Sequence, residues 1–285
     1  MLLGYRSFRG GVHRFVQSCA QIFDFAGGSF QILAHGLTVP AVGIEGLKVE
    51  AINSKVTRYW SVSVMEETTS TQSELVKQFE PGKVLVAEYQ SAGRGRLDRK
   101  FIVPLRKGLT FSFCIEADTD FGWIPLLTGL AVSQAINDYI GSKLVEIKWP
   151  NDLIIGEKKL GGILSEKVGS GAVVGVGINI FQNQSELPIE DAITLSEAKV
   201  KREIDRSELL SQILNCLGEV LSDLDRYKND YREMCSTIGK LVRVTLPTGE
   251  VVEDMAIGIS ADGSLLLKSR EVTVGDTAHL RNISK

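Results

Sequence analysis

Alternation of apolar and polar residues predicts a series of β-strands from about residue 49 onward. Each run holds β-branched or aromatic residues and is bounded by turn-forming residues, as is typical of strands. The predicted strands cover residues 59–65, 83–89, 109–116, 144–148 and 172–180. Two further short runs, 153–155 and 162–166, flank a tight turn and predict a hairpin.

Helical periodicity predicts three helices between these strands. A polar run at 72–79 follows several hydroxyl residues, so Ser70 or Thr71 is the expected N-cap. Residues 124–140 repeat apolar positions every three to four residues, and residues 207–231 predict one long amphipathic helix. Short strands at 240–246, 251–260, 264–268 and 272–280 then predict a small closed β-barrel.

The length of 285 residues favours one large domain and a small one. We expect a poorly ordered N-terminal extension at residues 1–48, a large domain at 49–235 and the barrel at 236–285. Arg6, Arg9 and Arg14 precede the first acidic residue, Asp24, as in a transit peptide. A loosely packed extension or an over-long start is the favoured interpretation of that stretch.

The composition of the chain argues against several classes of protein. A hydrophobic content of 44% and a charged content of 24% are typical of a soluble globular protein. No apolar run reaches the roughly 18 residues of a membrane span. The net charge of −3 argues against a dedicated nucleic-acid binder. Four widely separated cysteines lack the spacing of a zinc or redox site, which favours a cytoplasmic location.

A glycine- and arginine-rich loop, GRGRLDRKF at residues 93–101, is the first candidate for chemistry. Glycines allow the backbone to approach a ligand closely, and guanidinium groups bind phosphate oxygens in pairs. Arg94, Arg96, Arg99 and Lys100 therefore predict a phosphate-rich ligand. A solvated basic loop or a nonspecific nucleic-acid contact remains open for this segment alone.

A second candidate combines KWPND at 148–152 with KKLGGILSE at 158–166. If residues 153–166 form a hairpin, Gly162 returns beside the strand that carries Lys148, which creates a glycine-floored slot with an ammonium group at its mouth. Such a lysine can neutralise charge that develops on a carboxylate and an α-phosphate. An ordinary surface hairpin is the alternative interpretation.

The order GRGR…RK, KWPND and KLGGIL resembles the biotin protein ligases, from about residue 57 to the C-terminus. The resemblance implies an α+β fold: a mixed sheet with helices like that of class II synthetases, followed by a barrel of the Src-homology-3 kind. Residues 1–48 lack two clear helices, so we expect the form of the family without an N-terminal DNA-binding domain.

The resemblance also implies site residues. Lys148, Arg96 and Arg94 are the implied catalytic residues. Implied biotin contacts are Ser70, Thr71, Gln72, Gln90, Gly93, Arg94, Lys148, Gly162 and Ile163. Implied contacts to ATP or the adenylate are Arg94, Arg96, Arg99, Lys148 and Asn179. Two positions depart from the family pattern: Gln72 replaces an asparagine, and Phe101 replaces a tryptophan, which is expected to weaken loop ordering.

The implied activity is ATP-dependent formation of biotinyl-5'-AMP, followed by transfer of biotin to a lysine of a biotin carboxyl carrier domain. Biotin, ATP and magnesium are the implied small molecules, and no nucleic acid or membrane partner is expected. The chain is expected to be a monomer or a homodimer. The alternatives are a lipoate or octanoate ligase or transferase, a DNA-binding repressor, and a catalytically inactive biotin binder.

Overall fold

The computed structural model describes residues 44–97, 99–117, 119–187, 189–198, 200 and 202–279. The expectations for residues 1–43, including an extension, an address signal and the absence of a DNA-binding domain, lie outside the described residues. The described residues, from 44 to 279, belong to one compact unit. The predicted boundaries at residues 48 and 235 stay predictions. Among the described helices, none is long and apolar enough to cross a bilayer.

A seven-stranded mixed sheet forms the centre of this unit. Its strands run in the order β1-β2-β3-β7-β6-β5-β4. β1 and β2 are parallel, whereas the other neighbours are antiparallel. The strands are β1 (Ser61–Thr68), β2 (Lys83–Gln90), β3 (Gly108–Glu116), β4 (Val145–Lys148), β5 (Asp152–Ile155), β6 (Lys158–Val168) and β7 (Gly171–Asn179). These strands confirm the predicted ones to within a few residues, and β5–β6 is the predicted hairpin.

In the described part of the chain, the sheets are accompanied by five α-helices: α1 (Val49–Lys55), α2 (Thr71–Lys77), α3 (Trp123–Ile140), α4 (Arg206–Ser222) and α5 (Leu224–Met234). Ser70 is the N-cap of α2, since its side chain accepts a hydrogen bond from the Ser73 backbone N–H. α3 is buried on most of its surface and lies between the sheet and α4. Together they cover one face of the sheet with apolar side chains.

The predicted single helix over 207–231 is wrong, because the chain leaves helical geometry at Asp223. The backbone of Asp223 has φ −146° and ψ 79°, and its carboxylate accepts a hydrogen bond from the backbone N–H of Arg226. Asp223 therefore ends α4 and caps α5. The apolar stripe continues across the break, with Tyr227 and Tyr231 buried, which is why periodicity alone joined the two helices.

A five-stranded antiparallel sheet follows, in the order β11-β10-β9-β8-β12. Its strands are β8 (Leu241–Thr245), β9 (Val251–Ile259), β10 (Leu265–Leu267), β11 (Glu271–Val272) and β12 (Asp276–His279). This small C-terminal sheet agrees with the expected Src-homology-3-like unit. Its inward residues, such as Val242, Val244 and Ala256, are fully buried.

The C-terminal sheet contacts the central sheet beside the end of β4. Two indole N–H groups donate across the junction: Trp149 to the Gly263 carbonyl at 3.1 Å and Trp123 to the Ala261 carbonyl at 2.7 Å. Ser236 donates its backbone N–H to the Ile147 carbonyl at 2.8 Å. These bonds fix the small sheet next to the strand that carries Lys148.

Candidate active site

One row of paired residues crosses the sheet below the candidate site. Lys148 pairs with Asp152, Asp152 with Gly162, and Gly162 with Gly177. Residues paired in this way project from the same face of a sheet. Here that face is the one opposite α3. The prediction that Gly162 lies beside the strand of Lys148 is wrong, because β5 separates β6 from β4.

A cavity of about 460 Å³ lies on this face, a volume in the range of small-molecule sites. Its wall is built from α2, the end of β2, the middle of β3, the 93–101 loop, the β5–β6 hairpin, β7 and two strands of the C-terminal sheet. The predicted site residues that line it are Ser70, Thr71, Gln72, Gln90, Arg94, Arg96, Arg99, Gly162, Ile163 and Asn179. Gly93 and Lys148 lie beside the cavity and are not part of its wall.

Glycines form the floor of the cavity. A Cβ atom on Gly175 would lie 2.8 Å from Oε1 of Gln72, and one on Gly177 would lie 2.3 Å from the Phe101 ring. Both distances are shorter than real Cβ contacts allow, so side chains at these two positions would displace the groups that close the site. We refer to Gly162, Gly175 and Gly177 as the glycine floor.

A network of neutral polar side chains closes one end of the cavity. Gln90 Oε1 accepts hydrogen bonds from Thr71, from its N–H at 2.8 Å and from its hydroxyl at 3.1 Å. Ser112 Oγ lies 2.8 Å from the Thr71 hydroxyl and donates to Gln72 Oε1 at 3.2 Å. Gln72 Nε2 in turn donates to the Val173 carbonyl at 3.0 Å. Because all four side chains are buried, their positions are fixed before a ligand arrives.

At this end of the cavity, the Gln90 side chain has a hydrogen-bond donor that is available to a ligand. Its Oε1 is occupied by Thr71, but its amide nitrogen donates to no group among the described residues. The same nitrogen would lie 3.2 Å from a Cβ on Gly93, so it points toward the start of the loop. This arrangement fits a small neutral ligand with hydrogen-bonding groups.

The loop at 93–101 is a compact hairpin. Gly95 donates its N–H to the Arg99 carbonyl at 2.7 Å, and Phe101 donates to the Gly93 carbonyl at 2.9 Å. A Cβ on Gly93 would lie 2.0 Å from the Phe101 carbonyl oxygen, so this close approach requires glycine. Leu97, at the tip, has φ 53°, a conformation that non-glycine residues rarely adopt.

Each loop arginine contacts a different element. Arg94 binds Glu166 of β6 at 2.8 Å, and Arg99 pairs with Asp276 of β12. Arg96 donates to Asn151 Oδ1 at 2.9 Å, and burial lowers the pKa of its guanidinium, offset by Asp276 and Asp152. The three arginines therefore surround the cavity and connect the loop to both sheets.

Asn151 connects the loop to the hairpin. Its side-chain amide donates to the Ile163 carbonyl at 2.9 Å, and its own carbonyl accepts from the Ile163 N–H at 2.9 Å. Ile163 thus lines the cavity through its backbone, while its side chain packs against Gly129 of α3. Asn179 is buried, and its Oδ1 accepts from Gln182 at 2.9 Å.

Lys148 is half-buried beside the cavity. Burial lowers the pKa of its ammonium group; the Asp152 carboxylate opposes that shift, and the Lys159 ammonium adds to it. Lys159, which the sequence did not single out, does line the cavity. Its ammonium lies 2.5 Å from Asp152 Oδ1.

Sequence reasoning missed three groups of residues that the cavity contains. Ser112 occupies a strand whose other polar residue, Thr110, faces the same side, so alternation could have marked it. Lys159 lies within KKLGG, but no sequence pattern indicated that it would pair with Asp152. Arg243, Thr245, Asp276 and Thr277 come from the C-terminal sheet, and only the tertiary structure brings them here.

From the sequence alone, His279 is expected to be a residue on the surface of the C-terminal barrel rather than a metal ligand, and the expected surface position is wrong. Its side chain is 3% exposed, because β12 packs it against Thr237 and Lys240. Burial, Lys240 and Lys148 lower the pKa of its imidazole to about 4, against the partial effect of Glu157. The histidine is therefore neutral near pH 7 and lies close to Lys148.

Comparison with known proteins gives a consistent result. The profile of the Biotin/lipoate A/B protein ligase family matches residues 62–183. A biotin--[acetyl-CoA-carboxylase] ligase of Mycobacterium tuberculosis is 34% identical over 242 residues, which cover 77% of this chain and 89% of that protein. A bifunctional ligase/repressor of Bacillus subtilis is 30% identical over 242 residues, or 79% of this chain and 73% of that protein.

Solved structures agree with the sequence matches. A biotin protein ligase from Aquifex aeolicus, in complex with biotin and ATP, superimposes with a TM-score of 0.67 at 30% identity. The alignment covers 78% of this chain and 99% of that one. Since the fold, the cavity and a relative spanning most of the chain all agree, the protein belongs to the biotin protein ligase family.

Proposed function

We propose that the protein activates biotin with ATP to biotinyl-5'-AMP and transfers the biotin to a lysine of a carrier domain. One observation supports this most directly: a single cavity has a neutral, pre-ordered polar end and a cationic end. A bicyclic urea fits the first, and a phosphate-bearing nucleotide fits the second. The solved relative from Aquifex aeolicus contains biotin and ATP together.

Biotin is proposed to lie over the glycine floor with its ureido ring at the Thr71–Gln90 end. The Gln90 amide nitrogen and the hydroxyls of Ser70 and Thr71 are the hydrogen-bonding groups there. Gly162 lines the slot on the other side. Gln72 orients the network, since its amide accepts from Ser112 and donates to the Val173 carbonyl.

ATP is proposed to bind at the cationic end. Arg94, Arg96 and Arg99 surround this end from three directions, and each charge-assisted bond to a phosphate contributes about 1.5–3 kcal/mol. Asn179 lines the same region. The phosphates would replace the present partners of the arginines, of which Glu166 and Asp276 are partly exposed.

The chemistry needs no protein nucleophile. An oxygen of the biotin carboxylate attacks the α-phosphorus of ATP, and the bond to the β-phosphate oxygen breaks, so pyrophosphate leaves. The Lys148 ammonium at the end of β4 is proposed to stabilise the negative charge of this transition state. An acceptor lysine amine then attacks the carbonyl of the mixed anhydride, and AMP leaves.

Magnesium remains a proposal. Among the described residues, no group of three or more His, Cys, Asp or Glu side chains could hold a metal ion. The two carboxylates on the cavity wall, Asp152 and Asp276, are ion-paired with Lys159 and Arg99. A magnesium ion would therefore enter with the ATP phosphates as its main ligands, as is usual for this cation.

The proposed acceptor is the biotin carboxyl carrier domain of a biotin-dependent carboxylase, in a cytoplasmic setting. The relative from Mycobacterium tuberculosis is a biotin--[acetyl-CoA-carboxylase] ligase. The described cysteines are free thiols, which suits a reducing compartment. Monomer and homodimer both stay open.

Exchange of labelled pyrophosphate into ATP tests the activation step. We expect exchange that depends on biotin and not on lipoate or octanoate. Exchange with lipoate alone would move the chain to the lipoate ligases within the same broader family. No exchange with any of the three acids would support the inactive-binder alternative.

Lys148→Ala tests the proposed catalytic lysine. We expect biotin-dependent exchange to fall about 100-fold or more, the usual effect of removing one transition-state charge contact. Lys143→Ala is the matched control, because Lys143 is exposed in the turn before the same strand. Equal exchange by Lys148→Ala and Lys143→Ala would remove Lys148 from the mechanism.

A further inference from the structure

The cavity wall carries a lysine whose main chain is held rigidly. Lys159, near the start of β6, donates its N–H to the Asp191 carbonyl at 2.7 Å and accepts from the Ile193 N–H at 2.9 Å. A neighbouring segment thus pairs with the outer edge of the hairpin at this residue. The side chain consequently leaves from a fixed point.

A β-bulge decides which face that side chain reaches. Leu153 pairs with Gly161, but Ile154 pairs with Lys159, so Leu160 is an extra residue in β6. Strict alternation would put Lys159 on the face of Ile163, which packs on α3. Bulges redirect side chains, and here the ammonium lies over the glycine floor: a Cβ on Gly162 would be 3.5 Å from Nζ.

Asp152 holds the ammonium in this position. Its Oδ1 lies 2.5 Å from Nζ, and Asp152 pairs in register with both Lys148 and Gly162. The Lys159 side chain is 31% exposed and that of Asp152 is 24% exposed, so the pair faces the cavity rather than bulk solvent. Lys148 lies on the opposite side of Asp152, toward the C-terminal sheet.

We propose that Lys159 is a catalytic residue whose ammonium contacts the biotin carboxylate and the α-phosphate above Gly162. The inference rests on the proposed function and adds a second cation to it. The carboxylate oxygen bonds to the α-phosphorus while the bond to the pyrophosphate oxygen breaks. Lys159 stays protonated throughout, because the step needs charge and hydrogen bonds and transfers no proton.

Lys159 and Lys148 are expected to contact different parts of the substrates, because they lie at different positions in the site. Lys159 lies inside the cavity, where biotin's carboxylate would reach the nucleotide. Lys148 lies at the barrel side, near His279 and Asp276, where the charge of the phosphates would extend. Removing Lys159 should therefore affect activation strongly and biotin's ring contacts little.

The test measures biotin-dependent exchange of pyrophosphate into ATP for the full chain and for Lys159→Met, with Lys158→Met as the matched control. Lys158 is the preceding residue and is exposed. We expect Lys159→Met to lower kcat for exchange about 100-fold. Biotin affinity in the absence of ATP should fall about 10-fold, because one charge-assisted bond to the biotin carboxylate is lost. Lys159→Arg should restore part of the rate, since it keeps the charge. Lys158→Met should match the wild type.

Each outcome decides the inference. If the wild type shows biotin-dependent exchange and Lys159→Met exchanges at the same rate, the role of Lys159 is overturned and the proposed function stays intact. Wild type without biotin-dependent exchange overturns the proposed function and this inference together. If Lys159→Met does not fold by circular dichroism, Lys159→Gln takes its place, with wild-type exchange in Lys159→Gln as the overturning result.

Discussion

At the scale of single residues, His279 has an environment in the folded protein that its sequence position does not reveal. Its imidazole is buried beside Lys240 and Thr237, with Glu157 3.7 Å away and Lys148 also nearby. The folded pKa of about 4 lies below the 6.5 of an exposed histidine. Between these pH values the unfolded chain binds more protons, so the free energy of unfolding rises with pH across this window.

We predict that His279→Gln makes stability less sensitive to acid. The contribution of His279 to the free energy of unfolding is fully present above about pH 6.5. It is lost as the pH falls toward 4, and the loss is at most about 3 kcal/mol. Urea unfolding of wild type and His279→Gln at pH 7, 5.5 and 4.5 measures it. Because carboxylates titrate in both proteins, only the difference between them reports on His279. Parallel curves would mean that the imidazole keeps an ordinary pKa in the folded protein.

At the scale of elements, the 93–101 hairpin depends on its arginines to bridge the two sheets. Arg96 contacts Asn151, which in turn pairs with the backbone of Ile163. The Phe101 ring packs on Gly177, so an aromatic side chain still covers the floor without an indole N–H. The effect of this replacement on loop ordering stays a prediction.

We predict that Arg96→Gly releases the adenylate prematurely. Loss of one charge-assisted bond of about 1.5–3 kcal/mol corresponds to roughly 10- to 100-fold faster escape. Mass spectrometry of a mixture with an unrelated bystander protein should show biotin on its lysines. Arg96→Lys keeps a charge without the paired donors and should give an intermediate level. Bystander labelling equal to wild type would contradict the proposed grip of Arg96.

At the scale of the whole molecule, the C-terminal sheet supports the strand that carries Lys148. Thr237, fully buried, accepts a hydrogen bond from the Trp149 backbone N–H at 3.0 Å. Ser236 bonds the Ile147 carbonyl through both its N–H and its hydroxyl. The residues on both sides of Lys148 are thus held by the segment that leads into the C-terminal sheet, and Arg243 and Asp276 of that sheet add to the cavity wall.

We predict that Thr237→Val destabilises the protein by about 1–3 kcal/mol, because the buried backbone N–H of Trp149 loses its acceptor. Exchange of pyrophosphate into ATP should fall as well, since Lys148 loses part of its support. Denaturant unfolding and the exchange assay measure the two effects. Thr237→Ser, which retains the hydroxyl, should stay close to wild type. Equal stability of Thr237→Val and wild type would show that the bond contributes nothing.

The sequence by itself determined most of the elements and the main site segments. Alternation and periodicity placed the strands of the central sheet, the Ser70 cap and the hairpin, because these features depend on neighbouring residues. The motifs around Arg94 and Lys148 were sufficient to indicate a biotin protein ligase. Both signals are local in the chain.

Only the tertiary structure decided what distant residues do together. Asp223 ends a helix that periodicity continued, since a backbone conformation and a cap outweigh an unbroken apolar stripe. A single bulge at Leu160 carries Lys159 to the cavity face, and the packing of β12 buries His279. The physical reasons differ. The contacts that bury His279 join segments far apart in the sequence, where local patterns carry no information. The Asp223 cap and the Leu160 bulge are local, but periodicity of apolar residues does not register a change of backbone conformation.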